Sequence, residues 1–228
     1  MCQFIHCIVY CCLFVYHVLC YLVLWPQDLI NTPTSRHVAM VCKTCNYHSW
    51  ALRHIRRLLP LDVAWTLACS IVGARLNYCN SVLYGGPTLS TQKLQRVQNS
   101  LARVVLQQPR MSHARSLLKS LHWLPVPQRI EFKVAVLRYK IRSISRPAYL
   151  HPLLSNRISE SMATLRSASR PLLHVPRTRT VYMAAAPLVS TLWNRLTADI
   201  TNTTSLTVFR NRLKTFLFHQ TLSDCPAD

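Results

Sequence analysis

The sequence is poor in carboxylates and in glycine: among 228 residues, seven are Asp or Glu and three are Gly. Two-metal phosphoryl transfer and glycoside hydrolysis need converging carboxylates, which hold divalent ions or act as general acids. Walker loops and dinucleotide-binding loops need several glycines to bring backbone amides against phosphate. The scarcity of both residue types argues against these classes of enzyme. The acids are spread along the chain, at Asp28, Asp62, Glu131, Glu160, Asp199, Asp224 and Asp228.

Other catalytic and metal-binding signals are weak. No Gly-x-Ser-x-Gly nucleophile elbow occurs in the sequence, so no catalytic residue is predicted. Cys42 and Cys45 have the spacing of a zinc-binding pair, and His48 and His54 follow them. Too few residues separate the two pairs for a usual zinc finger, and the segment also fits an amphipathic helix. We therefore predict neither a metal site nor a cofactor.

Positive charge dominates what is present. The chain has 27 Lys and Arg residues and a formal net charge of +20. No Lys or Arg precedes Arg36, and residues 63–130 contain eight basic residues and no acid. A solvated face normally mixes charges of both signs, because like charges repel one another and destabilise the compact state. The pattern favours a polyanionic partner, and a basic surface with no specific ligand is the alternative.

The amino-terminal segment, 1–35, is apolar. Residues 4–25 form a run of 22 residues without a formal charge, long enough as a helix to cross a bilayer. A cleaved signal peptide is less consistent with the run, because no basic residue precedes it and no small-x-small cleavage pattern follows. The run is a candidate transmembrane helix, which would leave the basic remainder on the cytoplasmic side. The alternatives are a buried segment or a fortuitous translation.

The body from Arg36 onward has helical periodicity. Asp62 is predicted to cap a helix over 63–78 that buries Val63, Leu67, Ile71 and Val72, and the stretch 83–87 ends it. A second helix begins at Thr88 or Ser90 and buries one apolar arc: Leu94, Val97, Leu101, Val104 and Val105.

The next helix opens near Pro127 and ends before Pro147. Its buried positions repeat at +4 and +3: Ile130, Val134, Leu137, Ile141 and Ile144. A last helix over 205–218 groups Leu206, Phe209, Leu213 and Phe216. Residues 151–182 are rich in Ser, Arg and Pro and are predicted to be irregular and basic, with short strands at 172–182.

Basic residues border the apolar arcs of two of these helices. We predict that they contact nucleic-acid phosphates: Lys93, Arg96, Arg103, Arg129, Lys133 and Lys140. Four aromatic or imidazole side chains lie among the basic residues and are candidates either for stacking on bases or for core packing: His122, Trp123, Tyr139 and Tyr149. For Trp123, packing between helices is the favoured interpretation.

Several strings occur in one order that resembles the carboxy-terminal part of reverse transcriptases from LINE-type retrotransposons, in the jockey-like and chicken-repeat-like branch. They include VCKTCNYHSWALRHIRRLLPLD (41–62), LNYCNSVLYG (76–85), LQRVQNSLARVV (94–105), LHWLPVPQRIEFKV (121–134) and FRNRLKTFLF (209–218). The resemblance covers about residues 36–218. The chain departs from the family at Asn77, where Asp is usual, and at Trp50 and Trp65, where basic residues are common.

The resemblance implies that this stretch corresponds to the thumb, which follows the polymerase palm, and to the region after the thumb. The thumb grips the template–primer duplex largely through its backbone. The family's palm carries a Tyr-x-Asp-Asp metal site and a further Asp, and its endonuclease adds another acidic site. None of these has a counterpart here, so the resemblance implies a catalytically inactive fragment that keeps at most sequence-independent nucleic-acid binding.

The expected fold is mainly α, a small basic helical bundle like a reverse-transcriptase thumb, with the irregular basic segment and the candidate transmembrane helix. We predict five parts: 1–35, a thumb-like region over 36–150, the irregular segment 151–182, a helical region over 183–222 and a tail over 223–228. The alternative function is a single-pass membrane protein whose basic cytoplasmic domain contacts anionic lipids. The sequence does not indicate which oligomeric state the protein adopts.

Overall fold

The computed structural model describes residues 27–144, 173, 175 and 185–222. These residues are mainly helical, as predicted. Within them the α-helices are α1 (Gln27–Ile55), α2 (Leu61–Leu67), α3 (Ala74–Asn77), α4 (Thr88–Val105), α5 (Ala114–Ser120), α6 (Val126–Ile144), α7 (Ala185–Arg195), α8 (Ala198–Thr201) and α9 (Leu206–Leu222). A π-helical segment, Ala68–Gly73, joins α2 to α3, and short 3₁₀ helices span Arg56–Leu58 and Asn80–Leu83.

The described residues belong to two compact units. One, which we call the N-terminal unit, contains 28–130 and 217–222; the other, the C-terminal unit, contains 131–144, 173, 175 and 185–216. The border between them falls within α6 and within α9. The sequence-based division at residue 150 lies in a range outside the described residues.

Helix α1 runs through the whole Cys42–His54 segment, so the amphipathic-helix interpretation of that segment is the one observed. The inward face of α1 presents Val38, Cys45 and Leu52, which are 2%, 0% and 7% exposed. The Cys45 thiol lies 4.0 Å from the carbonyl oxygen of Val72, in the π-helical segment. This contact fixes α1 against the segment that follows α2.

The predicted helix over 63–78 is present, but its start and its buried face differ from the prediction. It begins at Leu61, with Pro60 at the N-cap position, and Asp62 lies in the first turn without making a side-chain capping bond. The buried positions are Ala64, Ala68, Val72 and Leu76, spaced four residues apart, whereas Val63 is 38% exposed. Of the other predicted positions, Val72 is buried and Leu67 and Ile71 are half-buried, so the observed buried face is displaced by one residue from the predicted one.

Helix α4 begins at Thr88 and buries all five side chains of its predicted apolar arc. Its carboxyl end closes in a Schellman arrangement, with the Gln108 amide donating to the Arg103 carbonyl at 2.9 Å and the Gln107 amide to the Val104 carbonyl at 3.2 Å. Gln107 has a φ of 54°, in the left-handed region that favours glycine. The conformation therefore costs free energy at a position where the sequence has no glycine.

Replacing Gln107 by Gly is expected to raise the free energy of unfolding by about 0.5–1 kcal/mol, because glycine adopts positive φ without steric strain. The substitution also removes the hydrogen bond that the side-chain Nε2 of Gln107 donates to the Arg56 carbonyl. At 3.5 Å this bond is long and contributes little. Urea unfolding monitored by circular dichroism measures the change. The control is Q108G, next along the chain and outside the left-handed region. Equal stability of the two variants would contradict the expectation.

The connection between α5 and α6 is held by two glutamines of α4. The buried Gln98 donates from Nε2 to the Leu124 carbonyl at 2.9 Å. Gln95 accepts, at Oε1, a 2.7 Å hydrogen bond from the Val126 amide, at the first residue of α6. These bonds satisfy backbone groups that the turn into the helix would otherwise leave unpaired. They position the amino end of α6 on α4 within the N-terminal unit.

Helix α6 buries Ile130, Val134, Leu137 and Ile141, as its +4 and +3 spacing predicts. The side chain of Ile144 is not among those that the structure describes. In the C-terminal unit, Phe209 of α9 is fully buried and stacks on the Tyr139 ring of α6, with ring centroids 4.3 Å apart. Leu213 is buried, as expected from the pattern of α9, while the predicted Leu206 and Phe216 are half-buried. Leu217, which is not among the predicted positions, is buried as well and belongs to the N-terminal unit.

In the C-terminal unit, Asn194 of α7 forms two hydrogen bonds with the backbone of Leu173. Asn194 donates from Nδ2 to the Leu173 carbonyl at 3.1 Å and accepts the Leu173 amide at 2.9 Å. This two-bond arrangement imitates the pairing of a neighbouring strand, and the Leu173 side chain is buried. Apart from Leu173 and Val175, the predicted irregular segment 151–182 and its predicted strands lie outside the described residues, as does Pro147.

The candidate transmembrane helix at 4–25 also lies outside the described residues. Over the ranges that the structure does describe, none of the helices combines the length and the apolar character needed to cross a bilayer.

Candidate nucleic-acid interface

The outward side of α4 carries two of the predicted phosphate contacts. Lys93 and Arg96 are exposed, while Leu94 and Val97 beside them in sequence are 3% and 4% exposed. The three-residue spacing separates the two cations by about 4.5 Å along the helix axis. The pKa of Cys42 is raised by burial, and the charge of Lys93 opposes that rise, so the Lys93 ammonium lies near α1. We call Lys93 and Arg96 the α4 basic face.

Arg103, two turns further along α4, is engaged inside the protein. Its Nε and one terminal nitrogen donate to the Ser112 carbonyl, at 3.2 and 3.0 Å. These bonds tie the loop before α5 to the helix. Because the loop takes up two of its donors, Arg103 stabilises the fold and presents only its remaining N–H groups to solvent.

Arg129 is directed inward as well. Its Nε donates to the Leu124 carbonyl at 2.7 Å, and a terminal nitrogen lies 3.4 Å from Oδ1 of Asn77. Burial lowers the pKa of Arg129 to about 10, and the nearby Cys69 thiol acts in the opposite direction. The group therefore stays charged at neutral pH while it links the end of α3 to the start of α6. We do not include it in the interface.

Lys133 and Lys140 lie on α6 in the C-terminal unit. Both are half-buried, and each already has an interaction partner in the protein. The structure therefore separates the six predicted contacts into an exposed pair on α4 and four side chains that are wholly or partly engaged in the fold. The phosphate role of the six stays a prediction.

Two of the four ring-bearing side chains that the sequence suggests for stacking are core residues. Trp123 and Tyr139 are each 5% exposed, and the Tyr139 hydroxyl donates to the Thr203 carbonyl at 2.9 Å. Trp123 thus packs inside the protein, which is the interpretation that the sequence favours. His122 is exposed, with its ring 5.7 Å from that of Phe218, and Tyr149 lies outside the described residues.

A different set of exposed side chains, which sequence analysis missed, follows one line along α1. Its spacing of +4, +3, +4, +3 and +4 keeps six side chains on one face of the helix. We call this set the α1 stripe: Arg36, Met40, Lys43, Tyr47, Trp50 and His54. The same periodicity that predicts a core would have found it, had it been applied to aromatic and basic residues together. Three further exposed cations lie close in sequence to the end of α4: Arg110, Arg115 and Lys119.

Three of the four cysteines that the structure describes have thiols whose protonated form is favoured by burial. Burial raises the pKa of the Cys45 thiol to about 11, with a contribution from Cys42, so the thiol is protonated at neutral pH. Burial also raises the pKa of Cys69. Metal binding needs thiolates, which burial disfavours here. Within the described ranges, no group of three or more His, Cys, Asp or Glu side chains is placed to hold an ion.

Comparisons of the chain with protein-family models, with curated proteins and with solved structures gave no match.

Proposed function

We propose that this chain binds the sugar-phosphate backbone of nucleic acids without sequence preference and that it does not extend a primer. The observation that carries the proposal is the α4 basic face, where Lys93 and Arg96 are exposed beside a buried apolar arc. A rigid helix holds both cations at a fixed spacing, and phosphate supplies the counter-charge that residues 63–130 lack. The resemblance to the reverse-transcriptase thumb agrees with this role.

The proposed lack of polymerase activity rests on the number and the positions of the carboxylates. The reaction needs at least two carboxylates that share metal ions. Among the residues whose side chains the structure describes, the acids are Asp62, Glu131 and Asp199, and each lies on a different helix. A primer-extension assay with the purified chain is expected to give no magnesium-dependent product. Extension by the pure protein would overturn this part of the proposal.

The double substitution K93Q/R96Q tests the binding surface. Neutralising two phosphate contacts is expected to reduce the slope of log affinity against log salt by about 1.8 on duplex DNA, and to weaken binding to all sequences alike. Fluorescence anisotropy with a 20-base-pair duplex at several salt concentrations measures both quantities.

The matched control is R210Q/K214Q, which removes two exposed charges from α9 in the C-terminal unit. If both double variants reduce the slope equally, the effect comes from net charge and not from the α4 basic face. If neither changes the slope, Lys93 and Arg96 do not contact phosphate.

A second candidate function rests on the uncharged run at 4–25. Under this alternative the run spans a membrane, and the basic body contacts anionic lipid heads. Deletion of 1–26, which keeps the whole of α1, separates the two candidates. Membrane retention is lost under the second, and nucleic-acid binding is unchanged under the first.

A further inference from the structure

The α1 stripe exposes large side chains that a folded protein normally covers. Met40, Tyr47 and Trp50 are 66%, 65% and 60% exposed. From Arg36 to His54 the stripe extends over 18 residues, about 27 Å along the helix. These three large groups lie in one line on the solvent-exposed side of α1, opposite the buried Val38, Cys45 and Leu52.

The charge of the stripe indicates what kind of ligand it fits. Arg36 and Lys43 are exposed on it, and the sequence has no acid between Asp28 and Asp62. Each cation lies one helical turn from an exposed apolar or aromatic group, so no uninterrupted apolar surface forms. A docked protein helix would need acidic residues at matched positions, whereas a nucleic-acid strand supplies regular negative charge and flat rings together.

The two aromatic rings are held by neighbouring imidazoles. The Trp50 ring meets the His54 ring edge to face, with centroids 4.3 Å apart, and the Tyr47 ring meets that of His48 at 5.4 Å. These contacts restrict the rotation of Tyr47 and Trp50, so less side-chain entropy is lost when a base stacks on them. The faces of bases become available to such rings when the strand is unpaired.

We infer that the α1 stripe binds single-stranded nucleic acid, with Tyr47 and Trp50 stacking on bases and with Arg36 and Lys43 contacting phosphates. The inference rests on the proposed function, because both require a polyanionic ligand. It adds a second surface, with a preference for unpaired strands, to the α4 basic face that binds backbone.

The test compares variants of the full-length chain on fluorescein-labelled (dT)20 and on a 20-base-pair duplex. Y47A/W50A is expected to lower the affinity for (dT)20 at least tenfold and the affinity for the duplex less than twofold, because only unpaired bases stack. W65A is the control, since Trp65 is 42% exposed on α2 and outside the stripe. Y47F/W50F keeps an aromatic ring at each position and is expected to retain most of the (dT)20 binding. A loss with W65A as large as that with Y47A/W50A would overturn the inference.

Salt dependence separates the roles within the stripe. R36Q/K43Q is expected to lower the salt slope on (dT)20 by about 1.4, since each single-strand phosphate contact contributes about 0.7. Y47A/W50A is expected to leave that slope unchanged, because stacking releases no counterions. Unchanged far-UV circular dichroism checks that these exposed substitutions preserve the helix. The same slope change in both variants would contradict the assignment of stacking to the aromatic pair.

The outcomes distinguish this inference from the proposed function. If the chain binds duplex and Y47A/W50A binds (dT)20 as well as the parent does, the inference fails and the proposed function stands. If the parent binds neither probe, both fail. If the stripe substitutions instead convert a dimer to a monomer in sedimentation, or abolish binding to phosphatidylserine vesicles while (dT)20 binding is unaffected, the stripe serves a second copy or a lipid surface, and the inference is overturned.

Discussion

Replacing Phe209 by Ala is expected to lower the free energy of unfolding of the C-terminal unit by about 3–5 kcal/mol, the range for buried aromatic residues. Phe209 is fully buried, with its ring stacked on Tyr139 at 4.3 Å and near-parallel to Trp193 at 5.9 Å. Alanine leaves a cavity beside both rings, and helix backbones relax only partly to fill it.

Urea unfolding followed by near-UV circular dichroism measures this loss, because Tyr139 and Trp193 report on the packing that Phe209 supports. The control is Val208→Ala at the preceding residue, which is 42% exposed and is expected to change stability by less than about 0.5 kcal/mol. A loss below about 1 kcal/mol for Phe209→Ala would show that the ring does not occupy the core of this unit.

Replacing Arg56 by Met is expected to lower the free energy of unfolding of the N-terminal unit by about 2–4 kcal/mol. Arg56 is 8% exposed, and it donates from Nε to the Val105 carbonyl and from a terminal nitrogen to the Leu59 carbonyl, both at 2.7 Å. Val105 is the last residue of α4, so the guanidinium satisfies a helix-end carbonyl and lies at the negative end of the helix dipole. Methionine keeps most of the stem but leaves both carbonyls without this donor.

The adjacent Arg57 offers a matched control for Arg56. It is exposed, so Arg57→Met removes the same charge with little expected effect on stability. Arg56→Lys is expected to lie between the two, because an ammonium cannot donate in the forked geometry of a guanidinium. Equal stability of Arg56→Met and Arg57→Met in urea unfolding would contradict the capping role.

The sequence predicts the fold best where large aliphatic residues repeat at helical spacing. In α4 all five predicted positions are buried, and in α6 the four predicted positions whose side chains are described are buried together with neighbours such as Val136 and Tyr139. In the helix that begins at Leu61, the buried face is displaced by one residue from the predicted one, because Ala64 and Ala68 carry little hydrophobic signal. Their advantage is small size, and it depends on the shape of the partner helix, which sequence periodicity does not contain.

In the candidate interface too, the sequence predicts the placement of some cations and not of others. A basic residue beside an apolar arc is predicted to be exposed, and Lys93 and Arg96 are. Arg129 has an equivalent border position, yet it is turned inward by the Leu124 carbonyl, which the connection to α6 brings within 2.7 Å of its Nε. That carbonyl comes from the turn geometry and not from the helical pattern. Local spacing thus indicates where cations lie, whereas long-range backbone placement decides which of them stay available to a ligand.

The most direct test of the central claim is a salt titration of the purified chain on two 20-base-pair duplexes of unrelated sequence. Phosphate binding without sequence preference predicts equal affinities for the two duplexes and a linear fall of log affinity with log salt, with a slope of at least about 1.8 in magnitude if Lys93 and Arg96 each contact a phosphate. An affinity that is independent of salt, or no binding in dilute buffer, would contradict the claim.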